Sequence, residues 1–108
     1  MKYLLVIAVL LSFTAPDKAQ AVEVRGGTDC GTWLTDRKEA YVNSWQNERA
    51  LQGFLDGVSW ALDLEFWKSG QGITFDQVKY WMDRYCRENP LHHTVQGAIK
   101  LFRERAGY

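Results

Sequence analysis

One segment, residues 72–90, constrains the fold most strongly, because it contains a complete helix signal. Thr74 followed by Gln77 predicts a capping box, in which the side chains satisfy free N–H groups of the first turn. Asn89-Pro90 predicts the helix end, since a residue before proline disfavours the α region. Between these ends, apolar residues at helical spacing predict one buried face: Val78, Trp81, Met82 and Tyr85.

Residues 1–21 have the pattern of a secretory signal peptide. Lys2 gives a positive start, residues 4–13 form a short apolar core, and Ala-Gln-Ala at 19–21 matches a cleavage site. A retained N-terminal anchor is the alternative, although spanning a bilayer needs about 20 apolar residues. We expect a mature protein that begins at Val22 and is periplasmic or secreted.

The predicted mature part is small and close to neutral. Its 87 residues suffice for one domain. The first 21 residues hold two of the thirteen basic groups and one of the thirteen acidic groups, so the remainder has a net charge of −1. This balance gives no basic footprint for nucleic acid or for an anionic membrane surface. We therefore expect no nucleic-acid partner, and no membrane span after signal removal.

The two cysteines, Cys30 and Cys86, both lie in the predicted exported part. An even pair in an oxidising compartment is typical of a disulfide. Free or metal-binding thiols are the alternative, but no further ligand stands at a zinc-like spacing. A Cys30–Cys86 bond would pin the first helix to the helix of residues 72–90.

Helical periodicity continues along the rest of the chain, and no segment alternates long enough to predict a strand. After a flexible lead-in at 22–29, Thr28 or Asp29 can cap a first helix. The expected fold is all-α, a four-helix domain over 30–108 with one disulfide. Besides the central helix, the predicted helices are about 30–38, about 43–67, and from 91 or 94 to 105.

Two of these helices have apolar stripes that we expect to face the core. In the longest helix, the stripe is Leu51, Phe54, Leu55, Val58, Ala61 and Leu62. In the last helix, the stripe is Val95, Ala98, Ile99 and Phe102.

Gly53 and Gly57 stand four residues apart within the longest predicted helix. Each glycine in a helix costs about 1 kcal/mol relative to alanine, which suggests that something approaches closely. The approach could be a helix of the same domain, or a subunit or partner. A transmembrane contact is disfavoured, because Asp56 and Asp63 interrupt the segment.

Five tryptophans are many for so small a chain. Trp33 and Trp81 fall on predicted inner faces. Trp45, Trp60 and Trp67 fit those faces less well, so they either pack under loops or form an exposed aromatic patch. Such patches mark partner surfaces.

The chain shows no recognisable catalytic set. His92 and His93 are adjacent, so they cannot easily share a metal, and we expect exposed structural histidines. The carboxylate pairs Asp63/Glu65 and Asp83/Glu88 are interpreted as solvated helix faces. A phosphate-binding glycine loop and a Gly-x-Ser-x-Gly elbow are also missing from the sequence. We expect a protein that is not an enzyme and that uses no cofactor and no metal.

Three motifs resemble those of the Rap/Tai-type small immunity proteins. They are 51–62 (LQGFLDGVSWAL), 72–78 (GITFDQV) and 85–90 (YCRENP). The resemblance covers about half of the mature chain. It implies an exported helical protein that neutralises peptidoglycan-cutting effectors of type VI secretion systems.

The setting of Cys86 also resembles that of the HdeA/HdeB-type periplasmic acid-stress chaperones. The match lies in Tyr85–Pro90, and in Cys30-Gly-Thr-Trp33 as a cysteine followed by an aromatic residue. This resemblance implies a small helical holdase with a single disulfide, activated by acid.

These observations lead us to expect a non-enzymatic protein-binding domain, an immunity-type inhibitor of a secreted cell-wall-targeting effector. The alternatives are the acid-activated chaperone and an accessory subunit of an envelope complex. The residues expected to contact the partner are Trp45, Trp60, Trp67, Gly53 and Gly57, and a homodimer is a further option.

Overall fold

The structure is a computed structural model that describes residues 27–68 and 71–107. The predicted signal peptide and residues 22–26 of the lead-in lie outside the described residues. The described part begins just before the first cysteine.

Four helices form the described part of the chain, as predicted for an all-α domain. The only extended pairing among the described residues is an isolated bridge between Asp29 and His93. The helices are α1 (Cys30–Glu39), α2 (Tyr41–Leu62), α3 (Phe75–Glu88) and α4 (Thr94–Ala106). Both α1 and α4 pack against α2 and α3.

The predicted disulfide is present and joins α1 to α3. Cys30 and Cys86 are both fully buried, with Cα atoms 4.8 Å apart. Their bond lies within one apolar cluster to which all four helices contribute. The buried members of this core are Cys30, Trp33, Leu51, Leu55, Phe66, Val78, Met82, Tyr85, Cys86, Ala98, Leu101 and Phe102.

The chain before α1 is held in place at Thr28 and Asp29. The Asp29 side chain accepts a hydrogen bond from the N–H of Thr32 at 2.8 Å and caps α1. The Thr28 carbonyl accepts from the N–H of Thr94 at 2.8 Å, which ties the chain to the start of α4. The predicted flexibility of the lead-in therefore does not extend to these two residues.

The α3 helix has the ends that its sequence predicts. The Thr74 hydroxyl accepts from the N–H of Gln77, and the Gln77 side chain accepts from the N–H of Thr74, so the capping box is complete. Asn89 is the C-cap. Trp81 is only half-buried, and its ring stacks on that of Tyr85 with centroids 5.3 Å apart.

The predicted end of the longest helix is wrong by about one turn. Helix α2 ends at Leu62, and Asp63 adopts a left-handed conformation with φ 51°. The chain then folds back and fully buries Phe66, whose ring stacks on Phe102 of α4 at 5.7 Å. Burial of this large ring favours the reversal, because it removes a large apolar area from water.

The buried face of α4 is turned relative to the predicted stripe. Ile99 is 37% exposed and Val95 is half-buried, whereas Gly97 is buried. A Cβ atom at Gly97 would lie 2.7 Å from the Tyr85 ring, so the glycine allows α3 and α4 to approach closely. The buried residues of α4 are Thr94, Gly97, Ala98, Leu101 and Phe102.

Asp83 is not the solvated carboxylate that the sequence analysis predicts. Its carboxylate accepts a hydrogen bond from Trp33 Nε1 at 2.8 Å, and from Arg37 at 2.9 and 2.8 Å. The Asp83 side chain is 15% exposed. The hydrogen bond to Asp83 raises the pKa of the Arg37 guanidinium. This pair links α1 to α3 beside the disulfide.

Candidate protein-binding surface

The longest helix carries an exposed face on the side opposite to its core face. Leu51 and Leu55 point into the core, so residues about half a turn away point outward. Both ends of that side are apolar and exposed, Val42 to 64% and Trp60 to 90%. We call this side the outward face of α2, formed by Val42, Gln46, Arg49, Gly53, Gly57 and Trp60.

Gly53 and Gly57 lie in the middle of the outward face, where no other described residue packs against them. A Cβ atom built at either glycine would have no heavy atom of residues 27–68 or 71–107 within 4 Å. The interpretation of these glycines as a contact with another helix of the described domain is therefore wrong. They instead leave a stretch of helix without side chains on the protein surface, beside Trp60.

Trp60 borders a groove formed where the chain reverses after α2. The groove contains two tryptophans and three carboxylates. We call it the acidic groove, lined by Asp56, Ser59, Trp60, Asp63, Leu64, Glu65 and Trp67.

The second tryptophan of the groove is fixed on several sides. Trp67 Nε1 donates a 2.7 Å hydrogen bond to Oδ1 of Asp56 on α2. Its ring meets those of Phe66 and Phe75 edge to face, at 4.8 and 6.3 Å. Glu65 accepts hydrogen bonds from the N–H groups of Trp67 and Lys68 and so stabilises the turn. The Trp67 ring is thus held in one orientation beside α2.

Trp45 lies apart from the other two candidate tryptophans. It stands fifteen residues before Trp60 on the same helix, a separation of about 22 Å at 1.5 Å per residue. Trp45 is 52% exposed, and the Arg49 guanidinium lies 5.7 Å from its ring centroid. The five candidate residues therefore divide into Trp60 and Trp67 at the groove, the glycines beside them, and Trp45 near the other end of α2.

A second surface, between α3 and the chain before it, has the opposite charge. Tyr80 of α3 is 66% exposed on this surface, and Arg84 and Arg87 of the same helix also belong to it. Arg105 of α4 joins it and donates to the carbonyl of Gln71 at 3.1 Å. We call this the basic surface, lined by Gln71, Gly72, Ile73, Gln77, Tyr80, Trp81, Arg84, Arg87 and Arg105.

The two histidines have separate structural surroundings. His92 is half-buried, with Nδ1 2.6 Å from the hydroxyl of Tyr85, and burial raises the pKa of that hydroxyl. His93 is the exposed N-cap of α4, and its N–H donates to Gln96 at 2.7 Å. Among the described residues, no group of three His, Cys, Asp or Glu side chains could hold a metal ion.

Over residues 27–68 and 71–107, no helix combines the length and the apolar character needed to cross a bilayer. This finding includes α2, the longest of the four.

The sequence indicates the tryptophans of the acidic groove but not the carboxylates that surround them. In the sequence, Asp56 and Asp63 are recognisable only as charges that disfavour a membrane helix, and Glu65 only as part of a solvated pair. Their grouping depends on the chain reversal at Asp63, which has no glycine or proline beside it as a signal.

Comparison with known proteins found no relative of this chain. No protein-family model matches it, and neither the curated proteins nor the solved structures gave a match. The resemblances to the immunity proteins and to the acid-stress chaperones therefore depend on their motifs alone.

Proposed function

We propose that the chain is an exported, non-enzymatic protein-binding domain whose partner contacts the outward face of α2 and the acidic groove. The observation that carries the proposal is the 90% exposure of Trp60 in a domain of this size. Burying a fully exposed tryptophan against a partner removes a large apolar area from water, and tryptophan is enriched at the energetic centres of interfaces.

The surroundings of Trp60 favour a partner that approaches closely. Gly53 and Gly57 have no side chains, so a partner helix or loop can lie against the α2 backbone. Neither glycine serves a packing contact within the described domain that would offset its cost in helix stability. A contact made outside the domain supplies a physical reason for both residues.

The class of the proposed partner is inferred from three sequence motifs, at 51–62, 72–78 and 85–90. Since they resemble those of Rap/Tai-type immunity proteins, the proposed partner is a secreted effector that cuts the cell wall, and binding inhibits it. The buried disulfide fits an oxidising compartment outside the cytoplasm.

The test is affinity capture from the exported proteins of the source cell. The baits are the wild-type protein, Trp60→Ala, and Tyr80→Ala as a control at an exposed aromatic residue on another helix. We expect one captured protein that digests peptidoglycan, that the wild type inhibits, and that the Trp60 variant fails to retain. Equal capture by all three baits, or a captured protein without cell-wall activity, would contradict the proposal.

A second candidate function, the acid-activated chaperone, is favoured by one feature of the helix contacts. Ion pairs with carboxylates link α1, α2 and α3 to one another. Asp83 pairs with Arg37, and Glu48 pairs with Arg37 at 3.5 Å and with Lys79 at 3.1 Å. At low pH the chain gains net positive charge, and self-repulsion would strain these links between the helices while the disulfide holds the chain together.

Light scattering of an aggregating client protein separates the two functions. A chaperone would suppress aggregation at about pH 2.5, where ordinary carboxylates are protonated, and not at pH 7. An inhibitor of one effector would suppress aggregation at neither pH. Suppression in acid alone would replace the immunity proposal.

A further inference from the structure

We propose that the acidic groove receives an arginine or lysine side chain of the protein partner. This inference depends on the proposed function, and it adds the chemistry of the contact. Its first support is the charge of the lining, because Asp56, Asp63 and Glu65 contribute carboxylates and no described lining residue is basic. A cationic side chain entering the groove would meet these carboxylates, and the Arg105 guanidinium, which donates to the Phe66 carbonyl at 3.0 Å, is not part of the lining.

The tryptophans give the groove a second means of binding a cation. A guanidinium or ammonium group over an indole ring is attracted by the negative face of the ring. The described part of the chain contains such contacts, with Arg37 5.8 Å from the Trp33 ring centroid and Arg49 5.7 Å from that of Trp45. Trp60 is 90% exposed, so its ring can be reached from solvent.

The groove is also formed before the partner arrives. The 2.7 Å hydrogen bond from Trp67 Nε1 to Asp56 and the ring contacts with Phe66 and Phe75 hold the Trp67 ring in place. A pre-formed site loses less side-chain entropy on binding than one that must order its residues. Arginine suits this arrangement, since its planar group can stack on an indole while its N–H groups donate to carboxylates.

The test uses a capped five-residue arginine peptide as the probe, titrated into the ¹⁵N-labelled protein. The readout is the set of five tryptophan indole N–H resonances, assigned by single Trp→Phe variants. We expect the resonances of Trp60 and Trp67 to shift with the peptide and those of Trp33 and Trp45 to stay unchanged. A five-residue glutamate peptide at the same ionic strength is expected to shift neither.

The variant that tests the carboxylates is Asp56→Asn with Asp63→Asn. Asparagine keeps an acceptor for Trp67 Nε1 at position 56 and tolerates the left-handed conformation at position 63, so the fold should persist. Removing two exposed charges should weaken peptide binding about five-fold. Glu88→Gln, on the exposed end of α3, is the control and should leave binding unchanged.

Three results would overturn the inference. They are unchanged Trp60 and Trp67 resonances with the arginine peptide, binding of the peptide by the double variant as tight as by wild type, or shifts when choline is added but not when the arginine peptide is added. The partner capture described above distinguishes its failure from failure of the proposed function. A captured effector that is lost with Trp60→Ala but kept with Asp56→Asn and Asp63→Asn would preserve the function and reject the cation site.

Discussion

Trp67 Nε1 donates a 2.7 Å hydrogen bond to Oδ1 of Asp56, and this bond fixes the returning chain against the last turns of α2. Without the reversal, Trp67 would lie beyond the end of a longer helix instead of beside Trp60. The bond thus connects the fold to the surface proposed for partner binding, since it shapes the acidic groove.

The hydrogen bond between Trp67 and Asp56 should hold the Trp67 ring in place in the acidic groove. Replacing Asp56 with Ala removes the acceptor of the Trp67 indole and should loosen the ring, at a cost of about 1 kcal/mol for one exposed hydrogen bond. The Trp67 indole resonance should move toward that of a solvated indole, and its exchange with water should accelerate. Asp56→Asn, which keeps an acceptor, is the control. An unchanged Trp67 resonance in Asp56→Ala would show that ring contacts alone hold the tryptophan.

The disulfide should contribute a large part of the stability. Cys30 and Cys86 are separated by 56 positions, and closing a loop of that length stabilises a fold by about 4 kcal/mol in the chain-entropy model. For a domain of this size, the loss lowers Tm by about 20 °C. Thermal unfolding of the protein with and without a reductant measures the shift, and Cys30→Ser with Cys86→Ser should reproduce it. A shift of only a few degrees would mean that the bond adds little to the packing of α1 on α3.

The contact between Asp83 and its two donors should matter more than an ordinary surface ion pair. Asp83→Ala leaves the Trp33 indole N–H and the Arg37 guanidinium without their acceptor, which should cost about 2 to 3 kcal/mol of unfolding free energy. Asp83→Asn keeps an acceptor for one donor and should lose less. Urea unfolding of both variants measures the difference, with exposed Glu88→Ala as a control close to wild type. Equal stability of Asp83→Ala and Glu88→Ala would contradict a structural role for the pair.

Because Asp29 caps α1, the free energy of unfolding should depend on pH in the acid range. The hydrogen bonds from the backbone N–H and the hydroxyl of Thr32 lower the pKa of Asp29 in the folded state. The stabilisation of the fold by the charged Asp29 cap is therefore fully present above the pKa of the unfolded state, about 3.9. It is lost as the pH falls through the lower pKa of the folded state. Asparagine also caps helices but does not titrate. Urea unfolding at pH 7 and pH 2 should show a smaller acid loss for Asp29→Asn than for wild type, and an equal loss in the two proteins would contradict the prediction.

Local signals in the sequence predict a large part of this fold. Thr74, Gln77 and Asn89 act within their own helix ends, so a few neighbouring residues suffice to place α3. The pairing of Cys30 with Cys86 follows from their number and the expected compartment. In each of these cases, the determining interaction is either local or covalent.

Other features depend on contacts between distant residues and could not be predicted in this way. Helix α2 ends early because Phe66 packs on Phe102, which no signal near residue 63 indicates. Asp83 is paired with Arg37, 46 positions earlier, so its helix alone suggests a solvated charge. The acidic groove exists only after the chain reverses, which is why its tryptophans were found and its carboxylates were not.

The most direct test of a partner-binding face on α2 is to measure stability and partner affinity together for Gly53→Ala with Gly57→Ala. No heavy atom of the described residues lies within 4 Å of the added Cβ atoms, so the double variant should be more stable, by up to about 1 kcal/mol per site. The new methyl groups would stand between the α2 backbone and the partner, so affinity for the captured effector should fall at least ten-fold, a loss of about 1.4 kcal/mol. Higher stability with weaker binding is the predicted result. Higher stability with unchanged affinity would contradict the proposal that the partner contacts this face.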